Sequence, residues 1–376
     1  MAGIYIHIPF CKRRCIYCDF FSTTASEKKN EYIKALCKEI AGRKDYLGDE
    51  TIDTIYLGGG TPSQLEKDDF TNIFRTIYDN YSVNPNAEIT IEANPDDLTD
   101  EYVEMLSTLP FNRLSMGIQT FNDDILSLLK RRHNAQQAIE AFGRCRNAGF
   151  RNISIDLMYG LPGESMDTWN KDLDTAISLK PEHISAYHLI YEEGTVLYKL
   201  REENKVKEAD EDLSNSLFET LISRLKENGY VHYEISNFCR PGMHSRHNSS
   251  YWTGIKYLGC GPSAHSYDGY SRQWNISLLD KYIEGINKGS DISEIEELDL
   301  YTRYNDFVIT SIRTAWGMPL DKLKAEYGNA LYDYCLKMAR PHISQGTLEI
   351  KDNTLKLTQS GIFISDGIMS DMLWVE

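Results

Sequence analysis

The sequence predicts an α/β protein built on parallel strands, followed by a small helical domain. Apolar strand-like segments alternate with helix-like stretches through residues 1–200. Polar motifs recur where those strands end. Near residue 300 the pattern becomes helical again.

The strand-like segments lie near 3–9, 51–57, 87–93, 113–118, 152–158 and 183–189. Helical periodicity fills 27–43, 66–80, 98–109, 122–148 and 166–178. Helices between strands argue for parallel βα units. Six such units make either an open sheet or a partial barrel, and composition does not choose. Cys11 follows the first strand, Gly58-Gly59-Gly60-Thr61-Pro62 the second, Glu92 and Asn94 close the third, Gln119 the fourth, and Asp156 sits near the end of the fifth. Parallel strands share one carboxyl edge, so these groups can converge there.

Residues 205–228 read as a long helix and 230–236 as a strand. A Gly/Pro/His-rich linker follows, NFCRPGMHSRHNSSYW and then GCGPSAHSY, too punctuated for a simple strand. Helices are expected over 300–314, 319–327 and 329–340, and a hairpin over 347–358 with Lys351-Asp352-Asn353 in its turn. The expected organisation is a domain over 1–200, an extension with a candidate ligand-binding linker over 201–294, and a helical domain with a β-wing over 295–376.

The chain has 376 residues, 41% hydrophobic, and a net charge of −16 with histidines neutral. That balance weighs against nonspecific binding to nucleic acid or anionic membrane. No apolar run approaches a membrane span, and the start reads as a buried strand rather than a secretory signal. Peripheral membrane contact stays open, as does the oligomeric state. Of eight cysteines three crowd together and five are scattered, which fits a reducing cytoplasm better than a disulfide framework.

Cys11, Cys15 and Cys18 form C-x3-C-x2-C. Soft thiolates select zinc, copper(I) or iron–sulfur clusters. A structural zinc site needs a fourth ligand, and none stands at the usual spacing. Three cysteines on a four-iron cluster leave one iron open. In spacing and context this loop resembles the radical S-adenosylmethionine superfamily. That resemblance implies that the open iron of a [4Fe-4S] cluster chelates the cofactor's amino and carboxylate groups, and that reduction cleaves the sulfonium to a deoxyadenosyl radical.

Other residues suit such a cofactor. Gly59 and Gly60 admit close backbone approach, and Thr61 adds a hydroxyl. Glu92 could meet the ammonium or sulfonium, and Gln119 offers a donor and an acceptor. Arg131 could fork onto the carboxylate, and Asp156 could accept from ribose hydroxyls. Tyr5 could pack beside adenine. Each also has a purely structural reading. Lys12, Arg13 and Arg14 either form a solvated face or offset the cluster's charge.

The segments IYIHIPFCKRRCIYCDF, GGGTPS, IEANP, NRLSMGIQTF, RRH, IDLMYGLPGES, HISAYHLIYEEGT, YEISNFCRPGMHSRHNSSYW and YLGCGPSAHSY resemble haem chaperones of the HemW type. These are relatives of the anaerobic coproporphyrinogen III dehydrogenase HemN. The resemblance implies a partial (β/α)6 barrel with a smaller C-terminal domain. It assigns Cys11, Cys15 and Cys18 to the cluster, and Tyr5, Gly59, Gly60, Thr61, Glu92, Gln119, Arg131 and Asp156 to S-adenosylmethionine. In the dehydrogenase, the position of Tyr17 and the 261–265 region help hold a second S-adenosylmethionine. Two features depart from the dehydrogenase: Cys18-Asp19-Phe20 stands where it continues as C-x-C, and the first strand starts almost at once, without its N-terminal extension.

His247-Asn248-Ser249-Ser250-Tyr251-Trp252 matches the HNxxYW motif of the chaperones. A neutral histidine can bind haem iron axially, and Tyr251 and Trp252 offer apolar faces. A buried loop anchor is the alternative. His244, His265 and Cys239 are less specific. The expected function is therefore a chaperone that binds haem at His247, apart from the cluster, and passes it to an unidentified acceptor protein. The alternative is a radical oxidoreductase that decarboxylates a porphyrinogen.

Overall fold

The computed structural model describes residues 1–375. Six parallel strands form its centre: β1 (Ala2–Ile8), β2 (Ile52–Gly59), β3 (Val83–Ala93), β4 (Arg113–Gln119), β5 (Ile153–Tyr159) and β6 (His183–His188). Each is hydrogen-bonded in parallel to the next in chain order. Between them run α1 (Lys29–Gly42), α2 (Lys67–Asn80), α3 (Asp100–Ser107), α4 (Asp123–Leu128), α5 (Ala135–Asn147) and α6 (Met166–Leu179). Strand residues that face the helices are fully buried and apolar, such as Ile4, Ile6, Ile55, Leu57, Ile91, Leu114 and Ile155. The opposite parity carries Tyr5, Tyr56, Glu92, Ser115 and Asp156. Cys11 beyond β1 and Tyr187 on β6 line the same cavity, so the sheet wraps round into a partial barrel.

The 122–148 stretch is two helices rather than one. Lys130 adopts φ 63°, and Asn134 starts α5 with a capping box to Gln137. The break places Arg131 at the strand ends.

The expected linker is instead part of the sheet. After α7 (Val196–Glu202) and α8 (Glu211–Glu227), β7 (Val231–Glu234) and β8 (Asn237–Cys239) add an antiparallel pair beside β6. Then α9 (Arg246–Thr253) precedes β9 (Tyr257–Cys260), which pairs in parallel with β1. Strands β10 (His265–Tyr267), β11 (Ser271–Asn275) and β12 (Ser293–Glu297), with α10 (Leu279–Lys288), complete that edge. Gly, Pro and Ser punctuation here marks tight turns between very short strands, which a periodicity argument cannot resolve.

A second core lies in α11 (Leu300–Ile312), β13 (Met318–Pro319), α12 (Leu320–Gln345), the hairpin β14 (Leu348–Lys351)–β15 (Thr354–Leu357), α13 (Gln359–Ile362) and α14 (Ser365–Met372). Gly328 interrupts α12 at φ 80°, between the two expected helices. Asp352 and Asn353 both have positive φ, as a two-residue hairpin turn requires. No helix among the described residues is long and apolar enough to cross a membrane.

Candidate functional site

The carboxyl ends of the six strands surround a cavity of about 480 Å³. The cysteine loop forms one wall. Its base is closed by Cys11 N–H to the Thr23 carbonyl at 2.9 Å and Thr23 N–H to the Pro9 carbonyl at 2.7 Å. Asp97, just beyond β3, ties the surroundings together. It accepts from Lys12 Nζ at 2.9 Å, Ser63 Oγ at 2.8 Å, Gln64 Nε2 at 2.6 Å and Arg132 Nη2 at 3.0 Å. Lys12 is thus a tether, whereas Arg13 and Arg14 line the cavity.

Cys11, Cys15 and Cys18 are free thiols that line the cavity, partly exposed. Thr61 Oγ1 donates to Cys11 Sγ at 3.3 Å, and Arg131 Nη1 to Cys15 Sγ at 3.4 Å. Burial pushes the Cys18 thiol up to about 11, so ligation by a metal would draw off its proton. Among the described residues no group of three or more His, Cys, Asp or Glu forms a site for a single metal ion. A multi-iron cluster spans a wider ligand triangle, and three soft thiols facing one cavity fit it.

The glycine turn after β2 faces this loop. A Cβ on Gly59, at φ 107°, would stand 2.6 Å from the His7 ring, and one on Gly60 would stand 2.8 Å from the Pro9 carbonyl. Both positions therefore need glycine for the two loops to approach.

Glu92 and Arg131 line the cavity with Gln119 and Asp156. Glu92 accepts from Tyr56 Oη at 2.7 Å and from Gly59 N–H at 3.1 Å. Burial raises its carboxyl to about 7, with the neighbouring Asp156 adding to the shift. Asp156 accepts from Ser115 Oγ at 3.2 Å, and burial raises it too. Arg131 donates to Asn94 Oδ1 at 2.7 Å and to the Gly117 carbonyl, while its Nε lacks a partner. Gln119 holds φ 75°, a left-handed conformation uncommon outside glycine, at the cavity wall. A cationic group meeting Glu92 and an anionic one meeting Arg131 would suit an amino-acid moiety. The donors and acceptors thus fit the S-adenosylmethionine that the cysteine loop suggests.

Two expected residues lie elsewhere. Tyr5 is not in the cavity wall; its ring stacks on Tyr56 at 6.2 Å and on His247 at 6.4 Å, and its hydroxyl meets His7 Nδ1 at 3.1 Å. His247 is not on an open linker. It is 1% exposed, with Nδ1 2.8 Å from Thr54 Oγ1 and Nε2 2.9 Å from Tyr251 Oη. Glu88 accepts both Arg246 N–H and His247 N–H, which fixes the start of α9 beneath the barrel. Burial, with Arg113 nearby, holds His247 down at about 3, so its imidazole is neutral. Axial ligation of iron would need one of its two hydrogen bonds to open. Trp252 lies against Arg313, whose guanidinium stands 4.4 Å from its ring centre and 3.2 Å from the buried Glu234.

Sequence reading placed Asn94 at this edge but missed Tyr56, Ser115, Ser185 and Tyr187; all five lie in the cavity wall. Strand register was the usable signal: Ser185 pairs with Asp156, and Ser115 lies two residues before Gly117, Asp156's partner on β4. Tyr17 also lines the cavity; residues 261–265 do not.

Comparison with known proteins agrees with this fold. Residues 5–176 match the model of the Radical SAM superfamily, and residues 298–364 that of the HemN C-terminal domain. The chain is 33% identical to the Heme chaperone HemW of Bacillus subtilis over 99% of both chains. It is 31% identical to that of Mycobacterium tuberculosis over 99% of this chain and 94% of the relative. The solved coproporphyrinogen III oxidase HemN of Escherichia coli superposes with a TM-score of 0.86 at 24% identity, covering 99% of this chain and 89% of that one, which is a likeness of fold. With this cavity and full-length identity of that order, the chain belongs to the HemW family of radical SAM proteins.

Proposed function

We propose that this chain is a haem chaperone that carries a [4Fe-4S] cluster and S-adenosylmethionine and hands haem to an acceptor protein. The observation that carries the reading is one cavity holding three free thiols, Glu92, Gln119, Arg131 and Asp156, in a chain similar to the HemW chaperones over its whole length. Cys11, Cys15 and Cys18 would hold the cluster. A bound, reduced cluster supplies an electron to the sulfonium. Glu92 would take the cofactor's ammonium, Arg131 its carboxylate and Asp156 its ribose hydroxyls. Gly59, Gly60 and Thr61 shape the wall. Haem would use His247 after α9 loosens. The scattered thiols, all free, fit a reducing cytoplasm.

The porphyrinogen-decarboxylating alternative lacks support at Phe20, where the dehydrogenase pattern has its further cysteine. Anaerobic reconstitution with haem and coproporphyrinogen added separately decides between them. The chaperone reading expects stable haem uptake, transfer to an apo-haemoprotein and no decarboxylation. Multiple-turnover formation of protoporphyrinogen would overturn it.

A further inference from the structure

The exposed residues of the cavity wall form its rim. Three are large apolar side chains: Phe20 at 65%, Ile190 at 64% and Tyr187 at 42% exposure. Beside them stand Arg13 and Arg14, and two acids, Asp19 and Glu192. The deeper wall is polar, and the cofactor proposed above accounts for it but leaves the rim without a role. Apolar side chains gathered at the mouth of a polar cavity mark a binding surface. The backbone that carries them is anchored. Thr23 N–H closes the cysteine loop just beyond Phe20, and Leu189 N–H, next to Ile190, donates to the Tyr159 carbonyl at 2.8 Å. The two arginines are unspent. Lys12 pairs with Asp97, and Arg132 with Asp96 and Asp97, whereas Arg13 and Arg14 have no ion-pair partner among the described residues. In a chain of net charge −16 they make a local site for carboxylates.

A ligand for this rim needs a broad apolar face, reaching from the cysteine loop to the end of β6, and carboxylates for the arginines. We propose that the rim captures haem, with the macrocycle across Phe20, Tyr187 and Ile190 and the propionates on Arg13 and Arg14. The proposal rests on the haem-chaperone reading. The Tyr187 ring offers a stacking face, and Phe20 and Ile190 bury apolar area against the porphyrin. The neighbouring guanidinium groups give the propionates charge-assisted bonds. Asp19 and Glu192 repel carboxylates and so disfavour the macrocycle turned the other way. The site holds the porphyrin by its face and its acid groups, whatever ligand the iron takes, and His247 has no part in it. Metal-free porphyrin therefore fits the rim as haem does.

The test is a Soret titration of the full, cluster-reconstituted chain with haem and, separately, with metal-free protoporphyrin IX. The wild type should bind both. The double variant Arg13→Gln with Arg14→Gln should raise both Kd values about 10-fold or more, and Phe20→Ser with Ile190→Ser should do the same. All four side chains are exposed, so the variants should fold and keep the cluster's absorbance. Lys44→Gln with Lys67→Gln makes the same charge change outside the cavity wall and should leave both Kd values near wild type. A wild type that binds haem but not protoporphyrin IX, unchanged Kd values in either rim variant, or an equal loss in the lysine variant overturns the rim site and leaves the chaperone reading standing. A wild type that takes up neither macrocycle overturns that reading, and the rim site with it.

Discussion

Thr54 Oγ1 and His247 Nδ1 lie 2.8 Å apart, so the histidine of the HNSSYW segment is bonded to the second barrel strand. Tyr251 holds its other nitrogen at 2.9 Å. The imidazole is therefore a barrel plug as well as the candidate haem ligand.

His247→Ala should both destabilise the fold and alter the haem spectrum. It removes a buried ring and leaves Thr54 and Tyr251 without a partner, at a cost of about 2–4 kcal/mol. Denaturant unfolding measures the cost, and the cluster's absorbance should persist in the folded fraction. Wild-type stability with unchanged haem affinity would reject both roles.

Asp97 should matter more than any surface charge near the loop. Its side chain is 2% exposed and serves four donors. Asp97→Ala should cost about 3–5 kcal/mol, because Arg132 and Lys12 lose a buried partner. Lys12, 57% exposed, should cost under about 1 kcal/mol as Lys12→Ala. Thermal unfolding midpoints of the two variants would reveal a reversed order.

Glu92→Gln should weaken S-adenosylmethionine about 10-fold or more while the cluster stays. The wild-type affinity should also fall as pH drops through about 7, because a cation needs the ionised carboxylate. Asp156 on β5 and Arg113 on β4 share that field and broaden the transition. The sign for stability is opposite. Burial favours the protonated form in the fold, so the Glu92 contribution is best below its ordinary 4.5 and declines as pH rises towards 7. Equilibrium binding between pH 6 and 8 checks the first trend; a flat profile would place the ammonium elsewhere.

Arg131→Ala should lower cofactor affinity and loosen the cluster loop together. The guanidinium touches Cys15 Sγ, Asn94 Oδ1 and the Gly117 carbonyl, and deleting it strands buried acceptors at about 1–3 kcal/mol each. Faster oxidative bleaching of the cluster, with weaker cofactor binding, is the expected pair of readouts. Loss of neither would leave Arg131 without a role in the cavity.

Most of the βα core was legible because its strands carry one apolar face and end in polar motifs. Cys11, Gly59, Glu92, Gln119 and Asp156 converge because they terminate neighbouring parallel strands. Arg131 converges for a different reason: the Lys130 turn breaks a stretch whose apolar period reads as continuous helix. The signal lay in Asn134 and Gln137, a capping pair inside that stretch. His247 was placed on a linker because β8, β9 and β10 are three or four residues long, too short for alternation to show. Only long-range pairing, β9 to β1 and α9 to Glu88, seats that segment in the barrel.

Mössbauer spectroscopy of iron-57-reconstituted chain, with and without S-adenosylmethionine, tests most directly whether one cavity carries both cluster and cofactor. The expected result is a four-iron cluster in which a single iron changes its signal when the cofactor is added, and which is lost in Cys11→Ala, Cys15→Ala and Cys18→Ala but kept in Cys145→Ala and Cys335→Ala. Full iron occupancy in all three loop variants, or a wild-type spectrum indifferent to the cofactor, would contradict it.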